Sequence, residues 1–254
     1  MPFIPVQSTG RILAIFEKGL DGMIIKILLA LWMAVIIVAA FLYAGAATGF
    51  PGQTSRILFF HVPQAWIATL AFLLSMIASC IYLAKRSVKT DHFALSAAEL
   101  GLLFCILATA TGSIFAKATW GSFWNWDPRE TSIVILLMIY GAYFALRSAV
   151  PDPEKRRVFA AVYSILAFVT VPFLVFVVPR ITASLHPENT MNPANPGMDP
   201  KTLKVFLGSL LAYTGLFVWM LRLKMRVLRL ERMREPEFVD TVIGEEGNLE
   251  PNSE

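Results

Sequence analysis

What limits this chain first is where its charges are missing. No Asp, Glu, Lys or Arg occurs within residues 27–55, 57–84, 100–116, 131–146, 158–179 or 205–221. A helix crosses the hydrocarbon of a bilayer with about 20 mainly apolar residues, roughly 17 at the least, since each backbone polar group must find its partner inside the segment. The six blocks are therefore read as six spans, the shorter ones extended by a few flanking residues. Composition agrees: 56% of residues are hydrophobic and 16% charged, against about 25% charged in soluble domains, and the mean hydropathy is +0.62. A soluble enzyme, a nucleic-acid binder and a disulfide scaffold are excluded. The fold class expected is all-α, a polytopic integral membrane protein built as a bundle of six transmembrane helices. The first block starts after Lys26 and is too long for the core of a cleavable signal, so it reads as a true first span.

The loops carry an asymmetry that sets orientation. Sixteen of the 22 Lys and Arg residues fall before span 1, between spans 2 and 3, between spans 4 and 5, or after span 6; the other six are Arg56, Lys117, Arg129, Arg180, Lys201 and Lys204. The richer face is cytoplasmic by the positive-inside rule, which puts both termini inside and three loops outside. The cytoplasmic loops read as plain connectors, with His92 beside Asp91 an ordinary loop residue. Residues 1–221 form the membrane domain. Residues 222–254 follow as a cytoplasmic basic helix extension, spaced with Leu and Met to lie along an anionic headgroup surface, and an acidic mobile tail. Cys80 and Cys105 lie inside apolar blocks without C-x-x-C spacing and read as packing residues.

Chemistry concentrates in the second outward loop, about residues 117–131, where Trp120, Trp124 and Trp126 stand within seven residues together with Gly121 and Phe123. A single interfacial Trp belongs to an aromatic belt. A cluster in one short loop, with Gly121 allowing close backbone approach, offers instead flat faces for stacking on a planar apolar ligand. Asp127, Pro128 and Glu130 have the spacing of a capping box that starts span 4, and the exposed N–H groups of that start, with Arg129 nearby, suit an anion.

Histidine is scarce: His61, His92 and His186. His61 stands at the entrance of span 2 and His186 follows span 5, both on the outward side. Each alone reads as a locally hydrogen-bonded interfacial residue. Two imidazoles converging on one leaflet, with an aromatic platform between them in sequence, can supply axial ligands to the two faces of an iron porphyrin. A zinc site is a poor fit, since it usually takes three or four protein ligands. For the propionates of such a group the outward cations are Arg56, Lys117, Arg129 and Arg180, with Arg129 nearest the platform.

The run from Trp120 to Asp127 resembles the tryptophan-rich WWD signature of haem-handling proteins. Together with Phe60-His61-Val62-Pro63, Ser184-Leu185-His186 and six spans, the chain resembles the heme exporter protein C (CcmC) family of cytochrome c maturation from span 1 to span 6. The resemblance implies non-covalent, transient binding of haem b at the periplasmic face of a bacterial inner membrane. His61 and His186 would be the axial ligands, and Trp120, Gly121, Phe123, Trp124, Trp126, Asp127 and Arg129 would belong to the haem-binding loop. It also implies a role without catalysis, and handover to a periplasmic haem chaperone in company with ABC transporter subunits and a small membrane subunit. One departure is visible. Pro128-Arg129-Glu130-Thr131 is more typical of the related cytochrome c synthase branch, while the exporter branch tends to have Trp at the Phe123 position. A synthase-type haem ligase is therefore the alternative. A small-solute transporter is disfavoured, because the spans carry almost no buried charge, Glu99 being the one acidic residue near mid-chain.

Overall fold

The computed structural model describes residues 6–45, 50, 52–186 and 198–233, with side chains from residue 22 to residue 231. Its elements are α1 (Val6–Leu42), a 3-10 segment (Gly52–Phe59), α2 (His61–Lys85), α3 (Val88–Trp120), α4 (Pro128–Ala149), α5 (Pro153–Pro172), a π segment (Phe173–Val177), α6 (Val178–Ile181) and α7 (Pro200–Met233). Among the described residues, six stretches are long and apolar enough to cross a membrane: Gly22–Leu42, Gly52–Lys85, Val88–Trp120, Pro128–Ala149, Pro153–Ile181 and Pro200–Glu231. The protein is all-α and multi-pass, as the charge-free blocks predict. The acidic tail and the segment after His186 lie outside the described residues.

The spans overrun several of the blocks, and some of the charged residues they take in are paired. Asp91 and His92, expected in a loop, belong to the first turns of α3, and Arg147 lies in the last turn of α4. The Arg147 guanidinium donates to both Asp91 carboxylate oxygens at 2.8 and 3.0 Å and to the Tyr143 hydroxyl at 3.3 Å. Glu99 lies within α3, its Oε2 3.0 Å from Lys224 Nζ of α7, a charge contact lying off the line of a hydrogen bond. The expectation of almost no buried charge is thus corrected, because ion pairing lets charged residues sit inside helices that composition alone would have ended. Cys105 is buried as expected, whereas Cys80 is exposed.

The chain divides into two compact units. The first takes in the described residues of Met1–Pro63 and Pro187–Leu216. Here α1 and the first half of α7 approach closely: Cβ atoms at Gly208 and Gly215 would lie 2.8 Å from Ile36 and 3.0 Å from Leu29, and the Trp32 indole donates to the Gly208 carbonyl at 3.0 Å. Small residues at such crossings let backbones approach where lipid offers no hydrophobic drive. Arg56 donates to the α1 carbonyl of Ala40 and to Gln53, and its guanidinium lies over the Phe41 ring, so this outward cation ties the end of α1 to the 3-10 segment.

The second unit takes in the described residues of Gln64–His186 and Phe217–Glu254. Phe72 of α2 fills the space a side chain at Gly101 would need and stacks on Tyr140 at 3.5 Å between ring centres. Ser75 donates to the Ala94 carbonyl at 2.9 Å and lies 3.2 Å from Ser164. Pro172 cannot donate the helical hydrogen bond and α5 gives way there to the π segment. That segment and α6 pack back against α4, which returns the chain to the loop preceding it.

Candidate functional site

The loop between α3 and α4 is built from two helix ends. Gly121 caps α3 at φ 80°, and its N–H donates to the Lys117 carbonyl. Among the described residues, apart from its own chain neighbours, nothing lies within 4 Å of where a Cβ would sit at Gly121, so it is the left-handed turn that asks for glycine. Lys117 Nζ closes the turn by donating to the Gly121 carbonyl at 2.8 Å and sits 5.6 Å from the Phe123 ring centre. At the other end the expected capping box is present. The Arg129 N–H donates to Asp127 Oδ1 at 2.9 Å, the Asp127 and Asn125 N–H groups donate to Glu130 Oε2 at 3.3 and 2.7 Å, and Pro128 opens the helix. The Pro-Arg-Glu sequence therefore has a structural use as a helix start.

Between the caps the aromatics divide into two groups. Trp124 and Trp126 meet edge-to-face with ring centres 6.0 Å apart, and Trp126 is 77% exposed on a backbone held at φ 55°. Phe123 is also exposed, at 58%. A positive φ is uncommon for a bulky residue, and a large exposed indole on such a backbone is strain of the kind found at binding sites. Trp120 turns the other way. It packs edge-on against Phe115 at 5.4 Å and against the His186 imidazole at 4.9 Å.

His186 is brought to this loop by a contact that local sequence does not specify. Asp127, only 3% exposed, accepts the Leu185 N–H at 2.7 Å and the Ser184 hydroxyl at 2.9 Å, while its Oδ1 lies 3.1 Å from His186 Nδ1. The His186 N–H in turn donates to Ser184 Oγ at 3.1 Å. Burial works to raise the Asp127 pKa. The N–H groups of Arg129 and Leu185, the nearby imidazole and the Ser184 hydroxyl outweigh it and hold the carboxyl below the ordinary range. An ionised carboxylate only accepts, so Nδ1 presents a proton to it; in the neutral ring the lone pair is then on Nε2, the form of imidazole that ligates metal ions.

Of the residues the sequence nominated, Trp120 and Asp127 both meet His186, Gly121 and Asp127 cap the helices with Arg129 giving the N–H that Asp127 accepts, and Phe123, Trp124 and Trp126 line the same loop. His61 belongs to the first unit, where it opens α2 directly after the 3-10 segment whose Phe59 sits in a buried apolar cluster with Ala40, Leu58 and Phe206. The sequence reading missed Ser184 as the anchor and Phe115 as the second ring on His186. The position of Ser184 two residues before the histidine was the available signal, since hydroxyls commonly bond backbone two residues on.

The sequence model of heme exporter protein C (CcmC) matches residues 8–240. The chain belongs to the heme exporter protein C family. It is 34% identical to the heme exporter protein C of Bradyrhizobium diazoefficiens over 224 residues, covering 86% of this chain and 81% of that one. It is 38% identical to the Paracoccus denitrificans protein of the same name over 104 residues, 41% of this chain and 43% of the relative. A ccmC-like mitochondrial protein of cytochrome c biosynthesis from Marchantia polymorpha is 31% identical over 125 residues, 49% of this chain and 52% of its own. The match is to the exporter branch, so for this heme exporter C family member the departure at Pro128–Thr131 does not move it to the synthase branch.

Proposed function

We propose that this protein binds haem b, as a non-covalent and transient cargo, at the periplasmic face of a bacterial inner membrane and hands it to a periplasmic haem chaperone during maturation of c-type cytochromes. Family membership supports the broader role, haem handling in cytochrome c biogenesis by a multi-pass membrane protein. In the finer reading His61 and His186 are the axial ligands. Trp120, Phe123, Trp124 and Trp126 provide ring faces and edges, Gly121 and Asp127 fix the loop, and Arg129 takes a propionate. Both termini are cytoplasmic, residues 1–221 are the haem-handling membrane domain, and ABC transporter subunits and a small membrane subunit supply the energy of release.

The observation that carries this reading is the Asp127–His186 pair. A buried carboxylate on Nδ1 is the usual means of fixing the orientation and tautomer of a metal-ligating imidazole, and here it acts on the histidine that packs against the tryptophan loop. When bound, the iron supplies a centre for two axial nitrogens; the chain supplies orientation, stacking surface and charge. The detergent-purified protein should show a Soret band, weakened in His61→Ala and in His186→Ala. A full band in the double variant would sink the axial assignment. A haem ligase would instead form thioethers on a C-x-x-C-H apocytochrome with haem alone, and this protein is expected to form none.

A further inference from the structure

The C-terminal half of α7 presents Val218, Leu221, Arg222, Met225 and Arg226 as one stripe at helical spacing. With Phe93 of α3 they line a groove of about 410 Å³ within the second unit, in the range of about 300–1,000 Å³ typical of small-ligand sites. Contacts beside the groove join α3 to α7: Ser96 of α3 donates to Met225 Sδ, Lys224 pairs with Glu99, and Phe217 packs edge-on to Phe104.

The lining is ordered by polarity along the helix. Val218, Leu221 and Phe93 are apolar, and Leu221 is buried. Arg222 and Arg226 follow one turn apart toward the C-terminal end. The nearby carboxylates are already taken, Asp91 by Arg147 and Glu99 by Lys224, and among the described residues neither Arg222 nor Arg226 is in an ion pair. Two forked guanidiniums at one end of an apolar groove match a phosphate ester, since each can donate in bidentate fashion. A free phosphate would leave the apolar floor wet, whereas a lipid lays a chain along it.

We propose that this groove is a specific site for one anionic phospholipid, its phosphate on Arg222 and Arg226 and its acyl chain along Phe93, Val218 and Leu221. The site stands apart from the haem-binding loop and does not depend on the haem reading.

The test uses the full-length protein in detergent, titrated with phosphatidylglycerol or phosphatidylcholine and read by native mass spectrometry. Wild type should retain one phosphatidylglycerol with about tenfold preference, a difference of one decade in equilibrium constant. Arg222→Gln/Arg226→Gln should lose the preference, while Arg156→Gln/Arg157→Gln, with the same change of charge, should keep it. Leu221→Trp, which fills the groove and keeps both arginines, should lower retention of phosphatidylglycerol. Equal loss in the two arginine double variants would reduce the effect to net charge and overturn the site. So would displacement of the lipid by millimolar inorganic phosphate, or unchanged retention in Leu221→Trp. Circular dichroism of each variant guards against misfolding, and a misfolded double variant is replaced by the single Arg222→Gln and Arg226→Gln.

Discussion

Asp127 serves two neighbours at once. It caps α4 through the Arg129 N–H and holds the 184–186 segment through Ser184, Leu185 and His186. Asp127→Asn should keep much of the cap, because Asn is itself a good N-cap, but it weakens the charge-assisted bonds, each worth about 1.5–3 kcal/mol. The sign of the pH dependence follows from the lowered pKa. A carboxyl depressed by folding stabilises above its unfolded value of about 3.9, and that contribution is lost as pH falls through the lower folded value. The melting temperature of wild type should exceed that of Asp127→Asn at pH 7, and the gap should close on acidification below about pH 4. A gap that stays constant down to pH 3 would show that the charge contributes nothing. The same variant should weaken haem binding by about 10–100-fold, the usual effect of removing a partner of a metal-ligating histidine.

Among the helices, where each ends depends on features of different kinds. Gly121 stops α3 by adopting φ 80° in open space, so Gly121→Ala meets no clash and should cost only the left-handed penalty, about 1–2 kcal/mol, with Gly121→Asn milder. Thermal unfolding in detergent compares the two, and a loss far larger than this would mean that the position is crowded. At the opposite end of α3 and α4 the Asp91–Arg147 pair joins the helices through both carboxylate oxygens. Arg147→Met leaves a buried carboxylate without its partner and should cost about 3–5 kcal/mol, whereas Arg147→Met/Asp91→Leu should recover much of that loss. A double variant no more stable than the single would contradict it. Pro172 is legible in the sequence as a break, but the π segment that follows is not, since it depends on how Phe173–Val177 repack after the missing hydrogen bond.

For the molecule as a whole, the charge asymmetry of the loops leads to an expected orientation with testable consequences. Single cysteines placed at positions 61 and 186, in a background lacking Cys80 and Cys105, should react with an impermeant maleimide from the periplasm, and one at position 156 should not. Labelling of positions 61 and 186 from opposite sides would end the two-ligand reading. The number of spans was legible because six apolar blocks have no alternative in water or lipid. Their ends were not, because absence of charge does not separate helix from loop. Block 27–55 contains both the end of α1 at Leu42 and the first half of the 3-10 segment, while α3 begins twelve residues before its block and carries Glu99 within it.

Local sequence thus determined the six spans, the capping box at Asp127 and the crowding of tryptophans in one loop, since each depends on residues near one another in the chain. Only the tertiary structure decided that Asp127 faces His186, that Trp120 leaves the other indoles to pack on that imidazole, and that Arg147 reaches Asp91. Those meetings join residues more than fifty positions apart. They rest on the π segment and α6 folding back along α4 and on the crossing of α3 with α4, arrangements set by side-chain packing that composition and periodicity do not encode.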